Sequence, residues 1–336
     1  MIDKTSSSSW KPLGFSAIIA IIVWLLWFKL AGPFPLAYIQ NHWEISLTMV
    51  FGSLIAGATS EGGGAVAFPV FTKLLHISPQ EATVFSLAIQ SVGMTAASLV
   101  IIYMGIQVEW RVIRCASLGG VLGITLSSIL LAPLLPSPVL KMSFTAMVAS
   151  FAITLFALNR TQRLCYNRLP NFRIPERILL FMVGFTGGIM SGLVGNGIDI
   201  ITFSVMVLLW HLNEKIATPT SVILMAINAL VGFALHLFII GDFTPKVYAY
   251  WQAAIPVVVV GAPLGAILCS YLSRMTIVRI LITLIAVEFI SSLLLIPLTM
   301  AVITSGLITF LVFSGLYYWM YRTHCDRKSF DRLCTS

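Results

Sequence analysis

Charge is what this chain has least of. Twelve Asp and Glu and twenty Lys and Arg make up 10% of its 336 residues, against about a quarter in an ordinary soluble domain. That deficit argues against a water-soluble fold. The formal charge of +8 is no nucleic-acid signal either, because the basic residues gather in short loops and the tail, where positive charge sets membrane topology. Cysteine is also sparse. Cys115, Cys165, Cys269, Cys325 and Cys334 are odd in number and never spaced as CxxC, so neither a disulfide framework nor a thiolate metal site is signalled. No HExxH, GxxxxGK[ST] or GxSxG occurs, which removes the signatures of zinc peptidases, nucleotide-driven pumps and serine hydrolases. No cofactor, metal or nucleic-acid partner is expected.

What is abundant is apolar sequence: 58% of residues are hydrophobic. They lie in runs near or above eighteen residues, such as 13–30, 82–104, 117–135, 247–272 and 299–320, long enough to span a bilayer. The expected class is an all-α integral membrane protein. The run 13–30 follows Lys4 and Lys11, exceeds a usual signal-peptide core and shows no small-x-small cleavage site, so it reads as a retained span. Its Trp24, Trp27 and Lys29 suit an interface.

One element occurs twice. Residues 52–98 align on 187–233 at a constant offset without a gap. Gly52, Gly57, Gly62, Phe68, Val70, Leu74, His76, Ala82, Thr83 and Ser86 meet Gly187, Gly192, Gly197, Phe203, Val205, Leu209, His211, Ala217, Thr218 and Ser221. Each copy centres on a glycine-rich break in an apolar stretch, and a duplicated, interrupted hydrophobic segment points to a transporter binding site.

The charges set a topology. Arg160, Arg163, Arg168, Arg173 and Arg177 mark 159–177 as a cytoplasmic linker between halves, and Arg322, Arg327, Lys328 and Arg332 place the tail on the same side. Four full spans between them, 216–240, 246–272, 276–296 and 299–321, require 178–211 to enter and leave on one face. It is read as a hairpin of two short helices. The same reasoning makes 43–76 a hairpin entering from outside and puts the N-terminus inside. The expected organisation is therefore 1–40 as N-terminal tail and first span, 41–158 as repeat 1, 159–177 as linker, 178–296 as an inverted repeat 2, and 297–336 as last span and tail. Arms of about fifteen residues reach roughly 22 Å, short of a core of about 30 Å, so the two glycine tips should meet near the midplane.

Helix starts beyond the tips, near Ala65 and Ile200, would turn free N–H groups and positive dipole ends inward, the makings of a backbone anion site. The alternative is that the glycines serve close helix packing. Candidate substrate-binding residues are Ser60, Glu61, Gly62, Gly63, Gly64 and Ala65 in the first tip and Gly195, Asn196, Gly197, Ile198 and Asp199 in the second. Gln90, Ser221 and Asn228 follow in the next spans. Ser86, Thr83 and Thr218 are further hydroxyl donors. Intramembrane carboxylates are functional candidates by default, so Glu61, Asp199 and Glu288 are the coupling candidates; a structural role, such as capping a helix start, stays open. His76 and His211 read as interfacial residues rather than metal ligands. Gly119, Gly120 and Gly123, or Gly261 and Gly265, could serve either a homodimer or the internal core.

GATSEGGGAVAFPVF followed by EATVFS, and GLVGNGIDIITFSVM followed by IATPTS, resemble the TauE/SafE sulfite and organosulfonate exporter family over about residues 45–296. The resemblance implies a secondary transporter of the plasma (inner) membrane that exports small sulfur oxyanions; the availability of Glu61 and Asp199 points to coupling to a proton gradient, with sodium left open. Glu61 stands where that family usually has an apolar or small residue, and Ile198 and Asp199 replace two expected glycines. Two other readings stay open: a carrier of another anion or of a cation coordinated by Glu61 and Asp199, and an intramembrane enzyme, for which no nucleophile–base pair is evident.

Overall fold

A computed structural model describes residues 10–62, 70, 71, 75, 77–160, 165–169 and 172–333. In chain order the helices are α1 Trp10–Leu30, α2 Pro35–Asn41, α3 Trp43–Ala58, α4 Pro79–Tyr103, α5 Trp110–Leu126, α6 Ser137–Asn159, α7 Ile174–Val194, α8 Ile198–Leu208, α9 Glu214–Ala234, α10 Pro245–Tyr271, α11 Arg274–Leu295 and α12 Met300–Leu333. Short π-helical segments, Ser127–Leu131 and Leu235–Ile240, continue α5 and α9. Among the described residues nine helices are long and apolar enough to cross a membrane, while α3 and α8 are apolar but shorter. The all-α membrane architecture expected from the hydrophobic runs is the one observed. The His76 and Cys334 readings fall outside the described residues.

Local chemistry sets the helix starts. Ser78 caps α4 by accepting from the Glu81 amide, while the Glu81 carboxylate accepts from the Ser78 amide, and Pro79 occupies the first turn. This reciprocal box satisfies two of the donors that every helix start leaves over. Thr244 before Pro245 caps α10 and Ser273 caps α11 in the simpler one-sided form.

The halves pack reciprocally. The first arm of each break lies on the second long helix of the other half: α3 on α10, and α7 on α5. The helices following each break, α4 and α9, pack on each other, as do the last pair, α6 and α11. α1 lies outside this assembly on α10 and α4, and α12 lies on α6.

Glycine makes the cross-half contacts close. A Cβ on Gly119 or Gly123 of α5 would overlap the Phe181 or Phe185 carbonyl of α7, and one on Gly265 of α10 would overlap the Leu54 carbonyl of α3. Gly261 faces the Ser53 side chain in the same way. Of the two uses open to these small-residue faces, the structure shows the internal one: backbone-to-backbone packing between halves, as small residues permit in membranes.

The Trp24 and Trp27 indoles donate to the Pro256 and Gln252 carbonyls of α10 at 3.0 and 3.1 Å, and Trp27 is buried. Pro256 has no N–H to offer the carbonyl four residues back, which is that of Gln252; the Trp27 indole fills the vacancy. The arm before the second break was expected to be about fifteen residues long. α7 has 21 residues, about 31 Å of helix, and qualifies as a span by length. It begins earlier than expected because Pro175 suits its first turn and the Glu176 carboxylate accepts from the Arg173 amide at 2.9 Å. α8, with 11 residues, extends only about 16 Å.

At the opposite end from Pro79, the linker is pinned. Tyr166 and Leu212 form an isolated parallel bridge, with Tyr166 N donating to His211 O and Asn213 N to Tyr166 O, both at 2.9 Å. Leu169 N donates to the Glu109 carboxylate at 3.2 Å, and Glu109 N donates to Thr220 Oγ1 at 3.0 Å. Arg274 reaches Glu214 at 3.5 Å and Asn159 at 3.2 Å.

Candidate functional site

The two tips touch. Asn196 Nδ2 donates to the Glu61 carbonyl at 3.1 Å. Gly62 and Gly197, matched in the repeat, take φ of 72° and 148°, a region that glycine enters without steric cost. Asp199 Oδ2 lies 3.5 Å from where a Gly62 Cβ would sit. Asn196→Ala removes the tip-to-tip bond at a residue 5% exposed. It should destabilise the protein by about 1 kcal/mol or more, seen as a lower thermal midpoint in detergent; an unchanged midpoint would show that the tie bears no load.

α4 holds the second tip from the side. The Gly195 carbonyl accepts from Gln90 Nε2 at 3.0 Å and Ser86 Oγ at 3.2 Å. Gly195, at φ 89°, ends α7 in the left-handed conformation, and a Cβ there would press on Ser86.

The start of α8 differs from the expected open anion cradle. The Ile198 amide donates to Ser191 Oγ at 3.1 Å. Those of Gly197 and Ile200 donate to Asp199 Oδ1 at 3.1 and 3.0 Å. Ile201 N is bonded to Gly197 O. Asp199 thus ties up this helix start with one oxygen, while Oδ2 stays buried without a hydrogen-bond partner. Its carboxyl oxygen takes the place that an exogenous anion would otherwise have at the helix start.

Above the tips lies a cleft with about 830 Å³ of unfilled space, partly open to solvent. α3, α4, α6 and α10 form its sides, through residues such as Met49, Phe85, Ile89, Leu140 and Val258, and Asn196 lies in its floor. Pro79, Thr83 and Ser137 stand at its half-exposed end. Polar atoms are few: Ser53, Thr83, Ser86, Gln90, Ser137, Asn196 and Lys141. Among the described residues, Lys141 is the one charged residue in that lining.

Lys141 joins the cleft to a buried acid pair. Its Nζ lies 3.0 Å from Glu288 Oε1 and 5.4 Å from the Phe144 ring centroid. The buried Glu61 carboxyl group feels the charge of both, and neither of its oxygens has a hydrogen-bond partner among the described residues. One turn on, Thr145 and Ser292 hydroxyls meet at 3.2 Å, so α6 and α11 share two successive polar rungs.

Of the sequence candidates, Gln90 and Asn196 line the cleft, and Ser60, Glu61, Gly62, Gly195, Gly197, Ile198 and Asp199 are in or beside the touching tips. Gly63, Gly64 and Ala65 lie outside the described residues. Ser221 and Asn228 are not brought to the cleft: Ser221 bonds its own helix at Thr218 O, and Asn228 is buried on α9, with its Oδ1 3.0 Å from where a Gly120 Cβ would sit. His211 is 4% exposed, its carbonyl accepting from the Tyr166 amide, and no cluster of metal-ligand type occurs among the described residues. Sequence reasoning missed Lys141, whose position near a span start reads as an ordinary interfacial lysine. The signal was Glu288, an intramembrane acid in need of a cation.

A family model described as sulfite exporter TauE/SafE matches residues 45–292. No curated protein and no solved structure matches the chain.

Proposed function

Since the chain belongs to the TauE/SafE sulfite exporter family, we propose that it is a secondary transporter that moves sulfite or organosulfonates across the plasma membrane, driven by an ion gradient. The observation that carries this reading is the cleft: among the described residues it has one charged side chain, the ammonium of Lys141, among hydroxyls, amides and apolar walls. That set suits a small anion with an apolar portion. Charge-assisted bonds from Lys141 and neutral donors from Ser53 or Ser137, whose hydroxyl hydrogens are uncommitted, would replace the hydration of a sulfonate headgroup, and Phe85, Ile89 and Val258 would cover its carbon chain.

The reciprocal packing of α3 on α10 and α7 on α5 supports two repeats of opposite orientation, with termini and linker cytoplasmic. In that arrangement Pro79 and Ser137 face outward, and rocking of the halves about the tips would expose the cleft to each side in turn. A cation held by Glu61 and Asp199 is the weaker reading, because neither carboxylate lines the cleft. Proteoliposomes should take up labelled sulfite or sulfoacetate by counterflow, with Lys141→Gln raising the half-saturating concentration about tenfold, the scale of a charged hydrogen bond. No flux across sulfite, sulfoacetate, ethanesulfonate, sulfate and acetate would overturn the reading.

A further inference from the structure

A second space lies on the same seam as the cleft. α3, α4 and α10 wall the cleft through Ala56, Met94 and Ala262. Further along, the same helices wall a hollow of about 260 Å³ through Gly57, Ile101 and Ala266. The first turn of α9 closes its fourth side with Lys215 and Thr218, and Cys269 of α10 completes the ring. The hollow opens where Lys215 is exposed, at the end of the molecule opposite Pro79 and Ser137. In the topology proposed above that end is cytoplasmic.

The lining suits an anion. Arg274 takes the neighbouring Glu214 at 3.5 Å, and Lys215 makes no ion pair among the described residues. No carboxylate lines the hollow among the described residues. Thr218 Oγ1 belongs to a residue 1% exposed and has no hydrogen-bond partner among the described residues. A buried hydroxyl left unpaired costs free energy, so its place in a cavity wall calls for a ligand. The repeat agrees, because Thr218 matches Thr83 of the outer cleft. Between the two spaces lies one apolar layer. Ala56, Met94, Ala97, Ile101, Ala262 and Ala266 share a packed cluster, and a Cβ on Gly57 would overlap the Ala262 carbonyl. We propose that the hollow is a second anion station, where a small sulfur oxyanion loads from the cytoplasm against Lys215 and Thr218 before crossing the alanine layer to the cleft. This rests on the transport reading above and places a loading site on the side from which an exporter draws its substrate. The α3–α10 pair, in backbone contact at Gly57, shifts against α4 and α9 to let the anion through.

Cys269 reports on the station in the native protein. It is 7% exposed, so its thiol reacts when the hollow opens. The probes are two thiol reagents of similar size: 2-sulfonatoethyl methanethiosulfonate, itself a sulfonate, and its 2-trimethylammonioethyl counterpart. Rates at Cys269 are read by peptide mass in oriented vesicles and normalised to a small thiol in solution. From the cytoplasmic face the anionic reagent should react about threefold faster than the cationic one, the scale of one exposed charge. Lys215→Gln should remove that preference, and ethanesulfonate should slow the reaction; sulfite is left out because it attacks the reagents. Lys215 is exposed, so its substitution should leave the fold intact. Ethanesulfonate flux in inside-out vesicles should show a half-saturating concentration about threefold higher in the same variant. Flux accompanied by equal, Lys215-independent reaction of the two reagents, or by no reaction from the cytoplasmic face, overturns the station and leaves the transport reading standing. An anion-preferring, Lys215-dependent reaction that ethanesulfonate slows, without flux of any anion, sustains the binding site and overturns transport. Neither flux nor reaction overturns both.

Discussion

Lys141→Met is expected to lose far more stability than the double substitution Lys141→Met with Glu288→Leu. The Lys141–Glu288 pair is almost wholly buried, with side chains 9% and 3% exposed. Removing one member of such a pair typically costs about 3–5 kcal/mol, because the other is left charged in a medium that does not solvate it, whereas replacing both by apolar groups is often near neutral. The single substitution should fall at the lower end of that range, since Glu288 can take up a proton in compensation. Thermal midpoints in detergent, read by size-exclusion recovery of folded protein, would show a deep loss for the single variant and substantial recovery for the double. Equal midpoints for the two would mean that the pair contributes no mutual compensation. Transport separates from stability here: the double variant, though folded, should have lost the cation of the cleft and with it high-affinity anion flux.

Gly123→Val and Gly265→Val should each leave little folded protein. At both positions the atoms that a Cβ would meet are backbone, Phe185 O and Ile189 N for the first and Leu54 O and Ala58 N for the second. Side chains can change rotamer to relieve overlap, but a helix backbone moves only by separating the two helices along their contact. Overpacking of a core costs typically about 1–3 kcal/mol and more where relaxation is blocked, so these two sites should exceed that range. Gly315 of α12 is the control: nothing lies within 4 Å of its ideal Cβ, and Gly315→Ala should be neutral or mildly stabilising through helix propensity. Folded yield after membrane extraction would distinguish the three. A Gly123→Val protein that extracts and elutes like the parent would refute the close α5–α7 contact.

The helical membrane class and the duplicated break were legible because both are written in local sequence. Long apolar runs need no partner to be recognised, and Gly62 with Gly197 keep positive φ in register across the repeat. The contact between tips was also foreseeable, and Asn196 to Glu61 realises it. Less was legible where the outcome depended on pairing at a distance. Lys141 and Glu288 are separated by 147 positions, and neither occupies a repeat-matched site, so periodicity carries no trace of their meeting. The start of α8 illustrates a different limit. A glycine break before a helix predicts free amides, yet Ser191 and Asp199, both polar residues near the break, satisfy them from within. Asn228, mid-span and amide-bearing like Gln90, was indistinguishable from it by type; only the rotation of α9 against α5 turns it away from the cleft.

The linker clamp has a mechanical consequence. Glu109 holds the Leu169 amide with its carboxylate and Thr220 with its own amide, while Tyr166 is stitched to the strand-like turn at His211–Asn213. Parting the first turns of α5 and α9 must break several of these bonds together, at about 1 kcal/mol each. Opening at the Glu109 end therefore has to give up these bonds at once, a toll that separation of the opposite end beside Pro79 and Ser137 does not levy.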